Sequence, residues 1–98
     1  MQNYKLVPAA EKDLEDIWFY TAEEWGLKQA DDYIDRMDEA FQLVAGQPLM
    51  CHERQEFSPP VRIHHQARHL IVYKIERDSI TVVRILHESM DIDTQLSD

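Results

Sequence analysis

Cysteine is almost missing from this chain, and that scarcity excludes two kinds of chemistry. Cys51 stands alone, so no disulfide forms within the chain, and neither a CxxC zinc site nor a dithiol redox motif exists. Its expected role is a free thiol in a loop rather than a nucleophile. Glycine is scarce too. Two glycines against 44% apolar residues describe a packed globular chain, not a disordered or low-complexity one. No apolar run reaches the roughly eighteen residues that a membrane span needs. The opening from Met1 into Tyr4-Lys5-Leu6-Val7-Pro8 lacks the basic-then-apolar order of a signal peptide. A cytoplasmic protein without membrane attachment is the expectation. There is no Gly-rich phosphate loop, no Ser–His–acid set and no internal repeat. A chain of 98 residues is expected to form one domain, 1–98, with a modest core and a weakly structured tail from about residue 88.

Positive charge is also in deficit. Ten Lys and Arg face nineteen Asp and Glu, a net charge of −9, which argues against direct binding to nucleic-acid phosphates. The deficit is uneven. Ala9 to Gly46 carries eleven acidic and three basic side chains, a balance of −8, whereas Arg54 to His87 carries six basic and three acidic ones, a balance of +3, with four histidines besides. An acidic front half is joined to a mildly cationic back half, and local charge says more about partners than the total does.

What is present is strong periodicity. Gln2 to Val7 reads as a short strand ended by Pro8, whose missing N–H suits the first position of a following helix. Leu14, Ile17, Trp18, Thr21 and Trp25 then fall at offsets 0, 3, 4, 7 and 11, one stripe of a 3.6-residue helix. Gly26 is the natural stop. A second helix from near Lys28 to about Ala45 shows Tyr33, Ile34, Met37, Phe41 and Val44 on one face, with Gly46 and Pro48 to end it. So short a break predicts an antiparallel helical hairpin. Residues 47–60 hold three prolines and little periodicity, and read as a long surface connection. Three strand candidates follow: Val61 to His65, Arg68 to Glu76, and Ile80 to His87, the last two joined by a turn at Arg77-Asp78-Ser79. The expected fold is α+β, with element order β-α-α-β-β-β: a small, mainly antiparallel sheet covered on one face by the hairpin and partly open on the other.

Several strings in this order resemble the ParE branch of the RelE/ParE toxin superfamily. They are Tyr4 to Tyr20; Trp25-Gly26 with Gln29-Ala30 and Tyr33; Gln47-Pro48; Val61-Arg62; Arg68-His69-Leu70-Ile71-Val72-Tyr73; Val83-Arg84-Ile85-Leu86-His87; and Met90-Asp91. The resemblance spans roughly residues 4 to 92. It implies a RelE/ParE-like fold and the toxin component of a type II toxin–antitoxin system. A cognate antitoxin with an acidic C-terminal segment would neutralise it in a hetero-oligomer. The expected target is DNA gyrase, inhibited by stoichiometric binding. RelE-type relatives instead cut messenger RNA on the ribosome, and a non-toxic homologue that titrates antitoxin is a third possibility.

Residue chemistry weighs on that choice. Cleavage at a 2′-hydroxyl needs a base, an acid, and cations for the phosphorane. Arg62, Arg68, Arg84 and His87 are the candidates, but no tyrosine follows Tyr73 and Glu88 follows His87. The set is incomplete, and a binding protein rather than an enzyme is expected. The same four residues, with Trp18 and Trp25 as aromatic anchors, are then the candidate contacts with target or antitoxin. Each has a structural alternative. Trp18 and Trp25 suit packing beneath the sheet, and Arg84 suits pairing with a helix carboxylate such as Asp35 or Glu39. Tyr73 reads as a core aromatic with its hydroxyl at the edge. Strand alternation puts Arg84 on the face of Val82 and Leu86, and His87 on that of Val83 and Ile85. His64, His65 and His69 make a poor metal site, because His64 and His65 point to opposite faces. No metal and no cofactor are expected.

Overall fold

The structure is a computed structural model and describes residues 3–77 and 79–96. Strand β1, Tyr4–Leu6, leads into helix α1, Pro8–Trp25, and helix α2, Leu27–Gly46. A single 3-10 turn, Pro48–Met50, opens the long connection. Strands β2, Arg62–Gln66, β3, His69–Glu76, and β4, Ser79–His87, follow, and a last short helix α3 covers Ile92–Leu96. The expected order of elements holds, with the tail folding as a helical turn. Gln2, assigned to the first strand, and Asp78, in the β3–β4 turn, lie outside the described residues.

The sheet runs β1-β4-β3-β2, antiparallel throughout except that β1 lies parallel to β4. Pro8 stands at the start of α1, where its absent N–H costs nothing. Gly26 joins the two helices at φ 96° and ψ 165°, a region essentially open only to glycine. Its N–H closes α1 on the Ala22 carbonyl at 2.9 Å, and its own carbonyl takes the Ala30 N–H at 3.1 Å. One residue thus ends one helix and begins the next.

The hairpin packs Ala10 and Ile17 of α1, and Met37, Phe41 and Val44 of α2, onto Ile71, Tyr73, Ile80, Val82 and Ile85 of the sheet. The α2 stripe behaves as its spacing predicts. The α1 stripe does so only in part, because Trp25 is 72% exposed. Periodicity identifies the face of a helix but not how far the opposing sheet extends beneath it. Trp18 is half-buried, its indole N–H donating to Asp31 across the hairpin at 2.9 Å. Neither tryptophan belongs to the buried core.

The other sheet face is more covered than the sequence implies. Phe57 and Val61 pack with Val72 and Leu86, and Ile92 and Leu96 of α3 lie against them. The 47–60 connection is therefore not wholly superficial. Phe57 is buried, Arg54 bridges to Val61, and the Arg54 guanidinium sits 5.5 Å from the Phe57 ring centre. Tyr73 is a core aromatic, fully buried, with its hydroxyl donating to the Pro48 carbonyl at 2.9 Å.

A bulge interrupts the β3–β4 ladder. Tyr73 faces Val82, but Val72 faces Arg84, so Val83 is the extra residue. Val82 and Ile85 both belong to the helix-side core, whereas Leu86 belongs to the opposite cluster. Plain alternation, which groups Arg84 with Val82, is corrected by this insertion. Arg84 shares its parity with Leu86, and His87 shares that of Ile85.

Candidate functional site

Where α1 outruns the sheet, a groove of about 610 Å³ opens between α1, the start of α2 and the ends of β3 and β4. Ile17, Tyr20 and Trp25 line the α1 wall, Gln29 and Tyr33 the α2 wall, and Arg68, His69, Ile85 and His87 the sheet end. A volume of this order is typical of ligand and peptide-anchor pockets. Much of its wall is exposed aromatic surface: Tyr20 is 63% and Trp25 72% accessible.

The groove's two acids are already committed. Asp13 takes both Nε and a terminal nitrogen of Arg84, at 2.7 and 3.0 Å, and also the backbone N–H of Ile85 at 2.9 Å. β1 pairs with β4 only as far as Val82, so beyond it Asp13 satisfies an edge amide that no strand reaches. Asp16 pairs with Lys12 at 2.6 Å. Arg68, in contrast, is exposed and has no carboxylate partner among the described residues.

The sheet end carries two histidines opposite each other in register, His69 and His87, with ring centres 5.3 Å apart and nearly perpendicular. Hydrogen bonds engage Nδ1 of each ring. The backbone N–H of Ser89 donates to Nδ1 of His87 at 3.1 Å, and a backbone amide can only donate, so His87 carries its proton on Nε2. The Tyr33 hydroxyl lies 2.6 Å from Nδ1 of His69, which leaves Nε2 as the ring nitrogen of His69 without a protein partner among the described residues. Burial, and then the neighbouring His87, push the His69 pKa down to about 4, so the ring is neutral near pH 7. Burial also raises the Tyr33 hydroxyl, against the opposing pull of the Arg68 amide and guanidinium.

Residues 4–92 match the family described as ParE toxin of type II toxin-antitoxin system, parDE. This chain belongs to the ParE toxin family. It is 35% identical over 94 residues to Toxin ParE1 of Mycobacterium tuberculosis, covering 95% of this chain and 96% of that protein. It is 30% identical to Toxin ParE1 of Caulobacter vibrioides, with 93% and 94% covered. Against Toxin ParE of Escherichia coli identity is 34%, with 100% of this chain and 96% of that protein covered. A chain of the solved structure titled Chromosomal ParDE TA system from P. aeruginosa superposes with a TM-score of 0.73 at 18% identity, covering 89% of this chain and 96% of that one. That likeness bears on the fold, which is ParE-like.

In this ParE-family chain the residues singled out from the sequence do not form one cluster. Arg68, His87 and Trp25 share the groove. Arg84 is held by Asp13 of α1, correcting its assignment to Asp35 or Glu39 of α2. Arg62 is half-buried and donates to the Cys51 carbonyl at 2.5 Å. His64 lies 4.0 Å from the Cys51 thiol and His65 3.0 Å from Glu88, so His64, His65 and His69 each have a different neighbour. Tyr33, His69 and Asp13 line the groove but are not among the contact residues named from the sequence, where His69 is weighed only as a metal ligand and Tyr33 only as core. Their meeting depends on strand register and helix placement, which no local spacing announces. Among the described residues no helix is long and apolar enough to cross a membrane.

Proposed function

We propose that this toxin acts in the cytoplasm by stoichiometric binding, with DNA gyrase as target and a cognate antitoxin as its inhibitor. The observation that carries the non-enzymatic reading is the employment of its arginines. Phosphodiester cleavage needs cations free to meet a phosphorane. Arg84 instead makes a two-point ion pair with Asp13, and Arg62 serves a backbone carbonyl. Arg68 and His87 are left without the other two, so the four-residue nuclease set is divided. A groove walled by accessible aromatics supports the alternative, since Trp and Tyr dominate binding hot spots. Target contacts are assigned to Arg68, His87 and Trp25, and antitoxin binding to the same groove.

Purified protein added to gyrase is expected to block supercoiling or to trap cleaved DNA, with inhibition saturating at a fixed molar ratio. No effect at micromolar excess removes gyrase as the target. Cleavage of messenger RNA on ribosomes, lost in His87→Ala, would replace the binding reading with the ribonuclease one.

A further inference from the structure

The α1 wall of the groove offers Ile17, Tyr20 and Trp25 beside Asp13 and Asp16, and the sheet end offers nitrogen groups. Nε2 is the ring nitrogen that His69 and His87 each leave open, because Nδ1 of the first faces the Tyr33 hydroxyl and Nδ1 of the second accepts from the Ser89 N–H. Arg68 adds a guanidinium beside them. The acids near this end each have a partner of their own, Asp13 in Arg84, Asp16 in Lys12 and Glu88 in His65 at 3.0 Å, although the Glu88 charge also reaches His69. Three nitrogen groups with no protein acceptor among the described residues thus line the sheet end of an aromatic-walled groove.

We propose that His69, His87 and Arg68 receive one carboxylate side chain of a partner polypeptide, whose apolar neighbours lie along Ile17, Tyr20 and Trp25. The proposal rests on the toxin–antitoxin reading and gives the chemistry of that contact: the partner's anchor is an acidic residue flanked by apolar ones. Charge complementarity favours a carboxylate over a phosphate. Two of the three donors are neutral N–H groups, which match a single negative charge better than a double one. The accessible aromatic wall favours a polypeptide over a free anion, because Tyr20 and Trp25 offer apolar surface that a small anion does not use.

The test uses the full chain labelled with 15N-histidine. In the free protein both rings are expected to show the Nε2–H tautomer, and either ring in the other form overturns the donor geometry. Acetate, used as the carboxylate probe, should move the Nε2 resonances of both histidines in the wild type. In Arg68→Gln its affinity should fall about tenfold, the loss expected of one charge-assisted hydrogen bond. The Arg68 side chain is exposed and in no ion pair among the described residues, so this variant keeps the fold. Unmoved resonances overturn the proposal whatever the partner is. The antitoxin co-expressed from the adjacent reading frame supplies the second arm. Arg68→Gln and His87→Phe should each weaken it at least about tenfold. Unchanged antitoxin affinity alongside acetate binding shows a small-anion site and overturns the polypeptide occupant. A wild type that binds no antitoxin refutes the toxin–antitoxin reading instead, and the acetate arm still decides the anion site.

Discussion

Removing Asp13 should cost more than removing the arginine it holds. Asp13 accepts three hydrogen bonds, two from Arg84 and one from the Ile85 backbone. Its side chain is 14% accessible and that of Arg84 29%. This lies between an exposed pair, worth about 0–1 kcal/mol, and a fully buried one, whose breaking costs about 3–5 kcal/mol. Asp13→Ala also strands the Ile85 N–H, a loss of roughly 1–3 kcal/mol for a buried donor. A total of about 2–3 kcal/mol follows, or very roughly 10–20 °C in Tm for a chain of this size. Arg84→Ala leaves Asp13 bonded to the Ile85 amide and should cost about 1–2 kcal/mol. Urea unfolding followed by circular dichroism measures both variants and the double mutant, which should reveal about 1–2 kcal/mol of coupling. Asp13→Ala within about 0.5 kcal/mol of wild type, or less harmful than Arg84→Ala, refutes the edge-amide argument. The result also governs how toxicity data are read. Loss of toxicity in Arg84→Ala reports on function only if the folded fraction is unchanged.

Three further expectations are independent of it. His69 has a folded pKa of about 4 against an unfolded value near 6.5. Between those values the unfolded chain binds a proton that the folded chain refuses, so stability is level above pH ~6.5 and falls as pH drops toward 4. Because the ring keeps some solvent contact, the fall should be about 1–2 kcal/mol, below the full conversion of the shift; the urea midpoint at several pH values measures it, and His69→Phe should flatten the slope. Gly26→Ala meets no atom within 4 Å of the new Cβ, so its cost is conformational alone, about 1–3 kcal/mol, and a negligible change in Tm would contradict the φ/ψ assignment. Trp25→Ala should leave stability within about 0.5 kcal/mol, since the ring is 72% exposed, yet weaken antitoxin at least about tenfold by calorimetry.

The sequence by itself determined the elements, their order and most of the buried faces. Spacing along α2 named Met37, Phe41 and Val44 as core, and all three are buried. Pro8 and Gly26 marked the helix ends because each residue type has a backbone preference that neighbours do not override. The hairpin over the sheet follows from two apolar stripes that need one surface. Family strings supplied the kinship, which extends over residues 4–92.

Only the tertiary structure decided the site. Up to Tyr73 and Val82 the β3–β4 ladder keeps the register that the turn sets, and continued unbroken it would place His69 opposite Leu86. The one-residue bulge at Val83 shifts the rest of β4 and brings His87 opposite His69. It also sets Arg84 off the parity of Val82. Bulges arise from ladder geometry and packing rather than from a residue signature, so no count along the chain predicts this one. Asp13 met Arg84 for a similar reason: β1 is three residues long, and α1 fills the edge it leaves open. Trp25 is a groove wall rather than core because α1 outlasts the sheet beneath it. Local preference sets which residues face inward, and only the assembled lengths and registers set what they face.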